Sequence, residues 1–449
     1  MNTYSAYKDS GEQWLGQIPA HWEILPGMAV FEENKEKNKQ GTENTVLSLS
    51  YGKIIVKEKK DEGLVPAEYT SYQIVHPNYI IIRCTDLQND KVSFRTGLVR
   101  NDGIITSAYL GLIVKGNNPQ YIHYYLHALD ITKEIYRYGS GLRQSLSWSD
   151  FKRLNILVPP LDEQEAMVAY LDEQTGKIDA AIEREQKMID LLNERKQIII
   201  QHAVTKGLSP NAPLKDSGID WIGEIPENWK VRRFKYLFRT CTGITFTKAD
   251  LVEEGYPVLS YGQVHSKQNK SGTLNEDLIK RIPYSLIKGK DQCLTYNGDF
   301  IFADTSEDFE GCGNNIYVDT DYPVYAGYHT IIAKRNNNEC GKYLGYLFAS
   351  RPWRGQIRTL VNGVKVFSVT QGILKSSSVL LPPVDEQEKI AAFLDRKVGS
   401  IDKAIAAKNR VIALLQERKQ IIISEVVTGK NQNILICKYP KLTRERLRN

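Results

Sequence analysis

PPLDEQEAMVAYLDEQTGKID runs from Pro159 to Asp179, and PPVDEQEKIAAFLDRKVGSID runs from Pro382 to Asp402. The likeness resumes in NERKQIIIQHAVTKG (Asn193 to Gly207) and QERKQIIISEVVTGK (Gln416 to Lys430). A proline pair cannot lie inside a helix, so each copy reads as a helix opening just after it. Asp162 and Asp385 are the expected N-caps, with Glu165 and Glu388 completing a capping-box pattern three residues on. A 4-3 spacing then runs through Leu171, Thr175, Ile178, Ile182, Glu185, Ile189, Leu192, Lys196, Ile199 and Ala203. Its repeat runs through Leu394, Val398, Ile401, Ile405, Lys408, Ile412, Leu415, Lys419, Ile422 and Val426. Seven of ten and eight of ten of these positions are apolar, which describes a coiled-coil seam rather than a broad globular face.

A helix of about 43 residues spans roughly 65 Å. No third helix is in sight to cover either copy, so the natural partner of each is the other. Each helix follows its own domain, so an antiparallel pair would set the domains at opposite ends of a pseudo-two-fold arrangement. The plainer alternative packs each helix on its own domain. The polar intrusions match in the two copies, Lys196 with Lys419 and Glu185 with Lys408, where register would be fixed.

A second block recurs ahead of each variable region. KDSGEQWLGQIPAHW (Lys8 to Trp22) matches KDSGIDWIGEIPENW (Lys215 to Trp229). The chain therefore reads as frame, variable domain, helix, and then the same again. The variable regions are short β-rich runs divided by Gly, Asn and Asp turns, each with a short helix, YIHYYLHALD and KYLGYLFASR. Ser50-Tyr51-Gly52 echoes Ser260-Tyr261-Gly262, and Gly141-Leu142-Arg143 echoes Gly363-Val364-Lys365. The expected fold class is α+β: two α/β domains joined by two long helices in an antiparallel coiled coil. The boundaries read 1–158 and 208–381 for the domains, 159–207 and 382–430 for the helices, and 431–449 for a basic tail expected to be disordered.

The 449 residues allow two or three domains with real cores, and 41% hydrophobic with 25% charged residues is ordinary for a soluble protein. Six scattered cysteines without a CxxC pair suit a reducing cytoplasm and argue against a zinc site. No signal segment or membrane-length apolar run is visible, so the expected location is cytoplasmic with no membrane partner. No phosphate loop, nucleophile elbow, HExxH motif or amino-methyltransferase tetrapeptide is present, and no metal or cofactor site is expected in this chain. His123 and His127 share a helical face without an acid at ligand spacing, which reads as surface or core.

Charge separates the segments. Residues 25–158 hold 17 Lys and Arg against 14 Asp and Glu, and residues 232–381 hold 19 against 14. Residues 162–207 hold 6 against 10. Positive charge on the variable domains suits phosphate neutralisation. Base edges are read by Arg, Lys, Asn and Gln on loops held by a rigid sheet. The candidates are Arg143 and Gln144 in GSGLRQSLS, and Lys365 in NGVKVFS. Lys53 and Lys57 follow the first Ser-Tyr-Gly turn, and His265 and Lys267 follow the second. Arg83, Arg95 and Arg358 are further phosphate or base contacts in this reading.

The tryptophan-framed KDSG block, the PP[LV]DEQE domain end, the ERKQIII helix end and their repetition resemble the specificity subunit of a type I restriction–modification system. The resemblance covers the chain to about Lys430. It implies two target-recognition domains, each reading one half of a bipartite site in double-stranded DNA, with the helices setting the gap. It also implies two methyltransferase subunits docked on the helices, with restriction/translocase subunits in the larger complex. S-adenosylmethionine, ATP and Mg would then be held by those partners alone, and this chain would not itself be an enzyme. The tail NQNILICKYPKLTRERLRN departs from the pattern. The competing reading is a coiled-coil interaction scaffold whose two globular heads bind proteins.

Overall fold

The computed structural model describes residues 4, 6–57, 69–85, 87, 94–139, 145–219, 222–269, 273–336, 338–363 and 365–430. The basic tail, Arg143 and Gln144 lie outside the described residues. The chain divides into two compact units, 1–185 with 410–449, and 186–409. Each unit therefore holds one variable domain, a part of its own long helix and a part of the other copy's.

In the first unit, strands Phe31–Glu33, Leu110–Val114, Ile80–Ile82 and Thr96–Leu98 lie in that order in one antiparallel sheet. The hairpin β1 (Leu47–Ser50) and β2 (Lys53–Val56) stands beside it. A Cβ on Gly97 of the sheet would lie 2.6 Å from Leu49 and 2.9 Å from Ile54, so glycine there lets the hairpin close down. Helix α1 (Pro119–Ile131) covers the sheet, with Asn118 accepting from the amides of Gln120 and Tyr121 at its start and proline at N1. Buried Tyr121, Ile122, Tyr125, Leu126 and Leu129 form its inner stripe.

The second unit repeats the order. Strands Phe238–Thr242, Thr330–Arg335, Phe300–Ala303 and Asn315–Tyr317 form the matching antiparallel sheet. A second four-stranded sheet adds one parallel pairing, Tyr256–Leu259 with Val324–Ala326. Helix α2 is Leu161–Lys206, α3 is Gly341–Ala349 and α4 is Val384–Val427. Each domain is also zipped where the chain passes through it: Glu23–Pro26 pairs with Asn155–Val158, and Lys230–Arg233 with Ser378–Leu381.

The long helices begin two residues earlier than the capping pattern suggested, with Pro160 and Pro383 in the cap positions. Gln164 donates its amide to the Pro160 carbonyl, and Glu386 and Gln387 donate theirs to Pro383. Asp162 and Asp385 thus sit inside the first turn, and Glu165 and Glu388 are exposed. Proline suits the position just before a helix because its missing N–H would have no intrahelical acceptor there. The acids of the repeat that reach other parts of the fold are Glu163 and Glu386.

Antiparallel pairing is visible within each unit. In the first, Lys419 of α4 meets Asp179 of α2 at 2.7 Å, and Met167 and Leu171 share a core with Ile423, Val426 and Val427. In the second, Lys196 of α2 meets Asp402 of α4 at 2.8 Å, and Ile200, Ala203 and Val204 share a core with Ile390, Leu394 and Val398. From Asp179 to Lys196 is as many residues as from Asp402 to Lys419, so both pairs obey one register. Among the seam positions, Leu171, Thr175, Ile178, Ile189, Ala203, Leu394, Val398 and Val426 are buried. Ile182, Leu192, Ile199, Ile401, Ile405, Ile412, Leu415 and Ile422 are half-buried. The helices pair with each other and also pack on the domains.

Candidate nucleic-acid interface

The frame that presents the two domains is made of the repeated residues themselves. Trp22 is fully buried, and its indole N–H donates to the Glu163 carboxylate at 2.9 Å, which also meets His21 at 2.8 Å. Trp229 is equally buried and donates to Glu386 at 3.1 Å, beside Asn228. The next residue of the motif is a buried glutamine with a second task. Gln164 accepts from the Asn118 amide and donates to Asn117 and the Pro159 carbonyl. Gln387 accepts from the Cys340 amide and donates to Glu339 and the Pro382 carbonyl. Glutamate thus ties the start of each long helix to the framing block, and glutamine ties it to the head of α1 or α3.

The far ends of the long helices reach the same frames. Gly429 follows α4 with φ +72°, where a Cβ would meet Pro19 at 2.9 Å and Trp22 at 3.1 Å. Gly207 follows α2 with φ +77° and lies against Glu386 and Trp229. Glycine serves at both places because the left-handed turn and the close approach each exclude a side chain. Tyr121 sets its hydroxyl 3.1 Å from the Leu157 carbonyl and 3.4 Å from that of Val427. Tyr343 does the same with Leu380 at 3.1 Å and Val204 at 3.5 Å. Burial pushes both phenols far above their ordinary range, so they stay neutral.

On this frame the sequence-predicted contacts separate into three kinds. Lys53, Lys57, Lys267 and Lys365 are exposed on their domains. Lys53 borders a cleft of about 960 Å³ that is also lined by Arg100, His123, His127 and Lys419. Lys267 borders one of about 480 Å³ in the second unit, with Lys196, Asn314 and Arg354. Arg83 is half-buried, its amide donating to the Arg95 carbonyl at 2.8 Å.

Arg95, Arg358 and His265 are taken up inside the domains. Arg95 is fully buried, and its guanidinium donates to the carbonyls of Thr85 and Arg83 and to the Tyr136 hydroxyl. Its donors are spent on closing its own sheet edge, which removes it from the reachable set. Arg358 has a side chain 13% exposed and pairs with Glu310 at 2.7 Å. His265 holds the Thr305 carbonyl at 2.8 Å and the Asn314 side-chain amide at 2.9 Å. A carbonyl only accepts and an NH₂ only donates, so in this arrangement Nε2 donates to Thr305 and Nδ1 accepts from Asn314. The ring buttresses a cleft of about 670 Å³ from within the wall.

His123 and His127 are half-buried in the wall of the first cleft. Burial draws the His123 imidazole down to about 4 and that of His127 to about 3. His127 lies against Phe94 at 4.9 Å between ring centroids. The echo between the two Ser-Tyr-Gly triplets is one of sequence alone. Tyr51 and Gly52 form the turn of the β1–β2 hairpin, whereas Ser260 starts the short helix Tyr261–Val264. Among the described residues no cluster of three or more His, Cys, Asp or Glu side chains could hold a metal ion, and no helix is long and apolar enough to cross a membrane.

Residues 35–190 and 226–413 match the family described as the type I restriction modification DNA specificity domain. The MjaVIII type I restriction enzyme specificity subunit of Methanocaldococcus jannaschii is 25% identical over 335 residues, 73% of this chain and 74% of that one. The putative MjaX specificity subunit of the same organism is 24% identical over 445 residues, 93% and 95% of the two chains. A solved chain from work on complex assembly and conformational transition of the type I R-M system superposes with a TM-score of 0.59. It covers 92% of this chain and 99% of its own at 15% identity. Two matched segments covering most of the chain, in two units that share one sheet order and the same tryptophan–glutamate and glutamine ties, make this chain a specificity subunit of the type I restriction–modification family.

Proposed function

We propose that each specificity domain reads one half of a split site in double-stranded DNA and that α2 and α4 fix the gap between the halves. The observation that carries this reading is a repeated frame holding unlike surfaces. The Trp–Glu and Gln ties recur residue for residue, while the first unit offers a basic hairpin where the second has a capped helix. A rigid link between two modest readers raises affinity and makes spacing part of recognition. The exposed lysines 53, 57, 267 and 365 supply phosphate and base contacts in this account.

Two methyltransferase subunits dock on the long helices, one at each domain, and restriction/translocase subunits complete the assembly. Support comes from a second apolar stripe outside the seam. Met188, Leu191 and Ile198 on α2 are 45%, 59% and 60% exposed. Val411, Leu414 and Ile421, their counterparts in the repeat on α4, are 42%, 56% and 47% exposed. Apolar stripes of this kind mark protein contacts. S-adenosylmethionine, ATP and Mg belong to those partners, and the chain works in the cytoplasm. The test is a gel shift of the chain with its methyltransferase partner against random and site-bearing duplexes. Sequence-selective retention is expected, and equal retention of both duplexes contradicts the reading.

A further inference from the structure

The tip of the β1–β2 hairpin is built against its own backbone preference. Ser50 faces Lys53 across the ladder, leaving Tyr51 and Gly52 as a two-residue turn with φ of +45° and +77°. Positive φ at both turn residues is the type I′ geometry, which favours Asn-Gly or Asp-Gly and disfavours a bulky residue at the first place. Gly52 is well chosen, since a Cβ there would come within 3.1 Å of Phe94. Tyr51 is not chosen for the turn, and it is not chosen for packing either. Among the described residues it is the most exposed of the large apolar side chains, at 78%, and it makes no hydrogen bond or ring stack. Exposed cations lie close along the chain: Lys53 is next but one and Lys57 follows the second strand, while Arg100 lines the cleft that Tyr51 borders, with Asp172 and Asp179 elsewhere in its lining.

We propose that this hairpin enters the major groove of DNA and that Tyr51 is a specificity-determining residue of the first domain. Its ring lies against base edges, and Lys53 reaches a flanking phosphate. The proposal rests on the reading of this domain as a half-site reader. A two-stranded ribbon has the width the major groove admits, and an aromatic tip beside a lysine combines a base contact with charge neutralisation. The ribbon is held firmly for such a task, because Leu49 and Ile54 close over Gly97 and the turn abuts Phe94. The second domain has a helix at its Ser-Tyr-Gly triplet, so the contact belongs to the first half-site alone.

The full chain is assembled with its methyltransferase partner, and binding is measured by fluorescence anisotropy over a salt series. The duplexes carry the site found by methylome sequencing, versions mismatched in either half, and a scrambled control. Tyr51→Asn supplies the favoured turn dipeptide, and Tyr51→Gly serves as a second turn-compatible variant. Both are expected to keep or raise the melting temperature. Affinity for the intact site falls about ten- to a hundredfold with an unchanged salt slope, as for loss of a base contact. The penalty for a mismatch in the first half shrinks, and that for the second half stays. Lys53→Ala instead lowers affinity for all duplexes and reduces the salt slope by about one. If Tyr51→Asn binds and discriminates as the parent does, or weakens site and scrambled DNA alike, the role of Tyr51 is overturned while half-site reading stands. If the parent assembly itself ignores mismatches in the first half, half-site reading fails and the role of Tyr51 falls with it.

Discussion

Glu163 and Glu386 accept the indole N–H of a buried tryptophan, and the cost of losing them follows from what is left behind. Without the carboxylate, the Trp22 indole N–H stays buried with no acceptor, at about 1–3 kcal/mol. Glu163 also serves His21 and Tyr4, whereas Glu386 serves Asn228 besides its tryptophan. Glu163→Ala is therefore expected to lower the denaturation midpoint of the full chain more than Glu386→Ala, and urea titration compares them directly. Equal effects would show that the extra partners of Glu163 contribute nothing. The sequence displayed both glutamates as repeated letters, but their roles were hidden there. An acid at the start of a helix reads as a cap or as a favourable charge near the dipole, and only the fold brings a tryptophan 141 positions away beside it. Arg95 shows the opposite failure, since an arginine between strands looks solvent-seeking until its carbonyl partners converge.

The long helices were the most legible elements, because a 4-3 apolar spacing survives without any knowledge of the domains. The spacing could not reveal the broader apolar face at the ends. Ile200, Val204, Ile423 and Val427 leave the narrow seam to enter the domain cores. Nor could it assign the lysines inside the seam, which find aspartates at the close of each repeat, Lys196 with Asp402 and Lys419 with Asp179. Lys196 and Asp402 have side chains only 17% and 22% exposed, so this pair is shielded more than a surface ion pair. Asp402→Ala leaves that lysine half-buried and unpaired, at about 1–3 kcal/mol, between the exposed and buried limits. The swap Lys196→Asp with Asp402→Lys is expected to recover most of the loss in a double-mutant cycle monitored by thermal unfolding. A strictly additive cycle would mean that the pair does not fix register.

At the scale of the whole molecule, two alternatives read from sequence were a DNA-specificity subunit and a protein-binding scaffold, and the matched family segments decide for the first. The repeat made the tandem plan legible, since frame, domain and helix recur in order. The readers were less so, because the recognising surfaces lie in the segments that diverge: a hairpin in one domain, a capped helix in the other. The central claim is that spacing is written in the helices. A heptad inserted after Lys187 and another after Arg410 fall opposite each other in the observed register and keep the seam in phase. Seven residues add about 10.5 Å of helix, close to three base pairs of B-form DNA. Methylome sequencing of cells carrying the parent or the lengthened chain with its methyltransferase partner measures this directly. The account predicts one bipartite motif whose halves are unchanged and whose gap grows by about three base pairs. An unchanged gap, or a continuous motif with no gap at all, would contradict it.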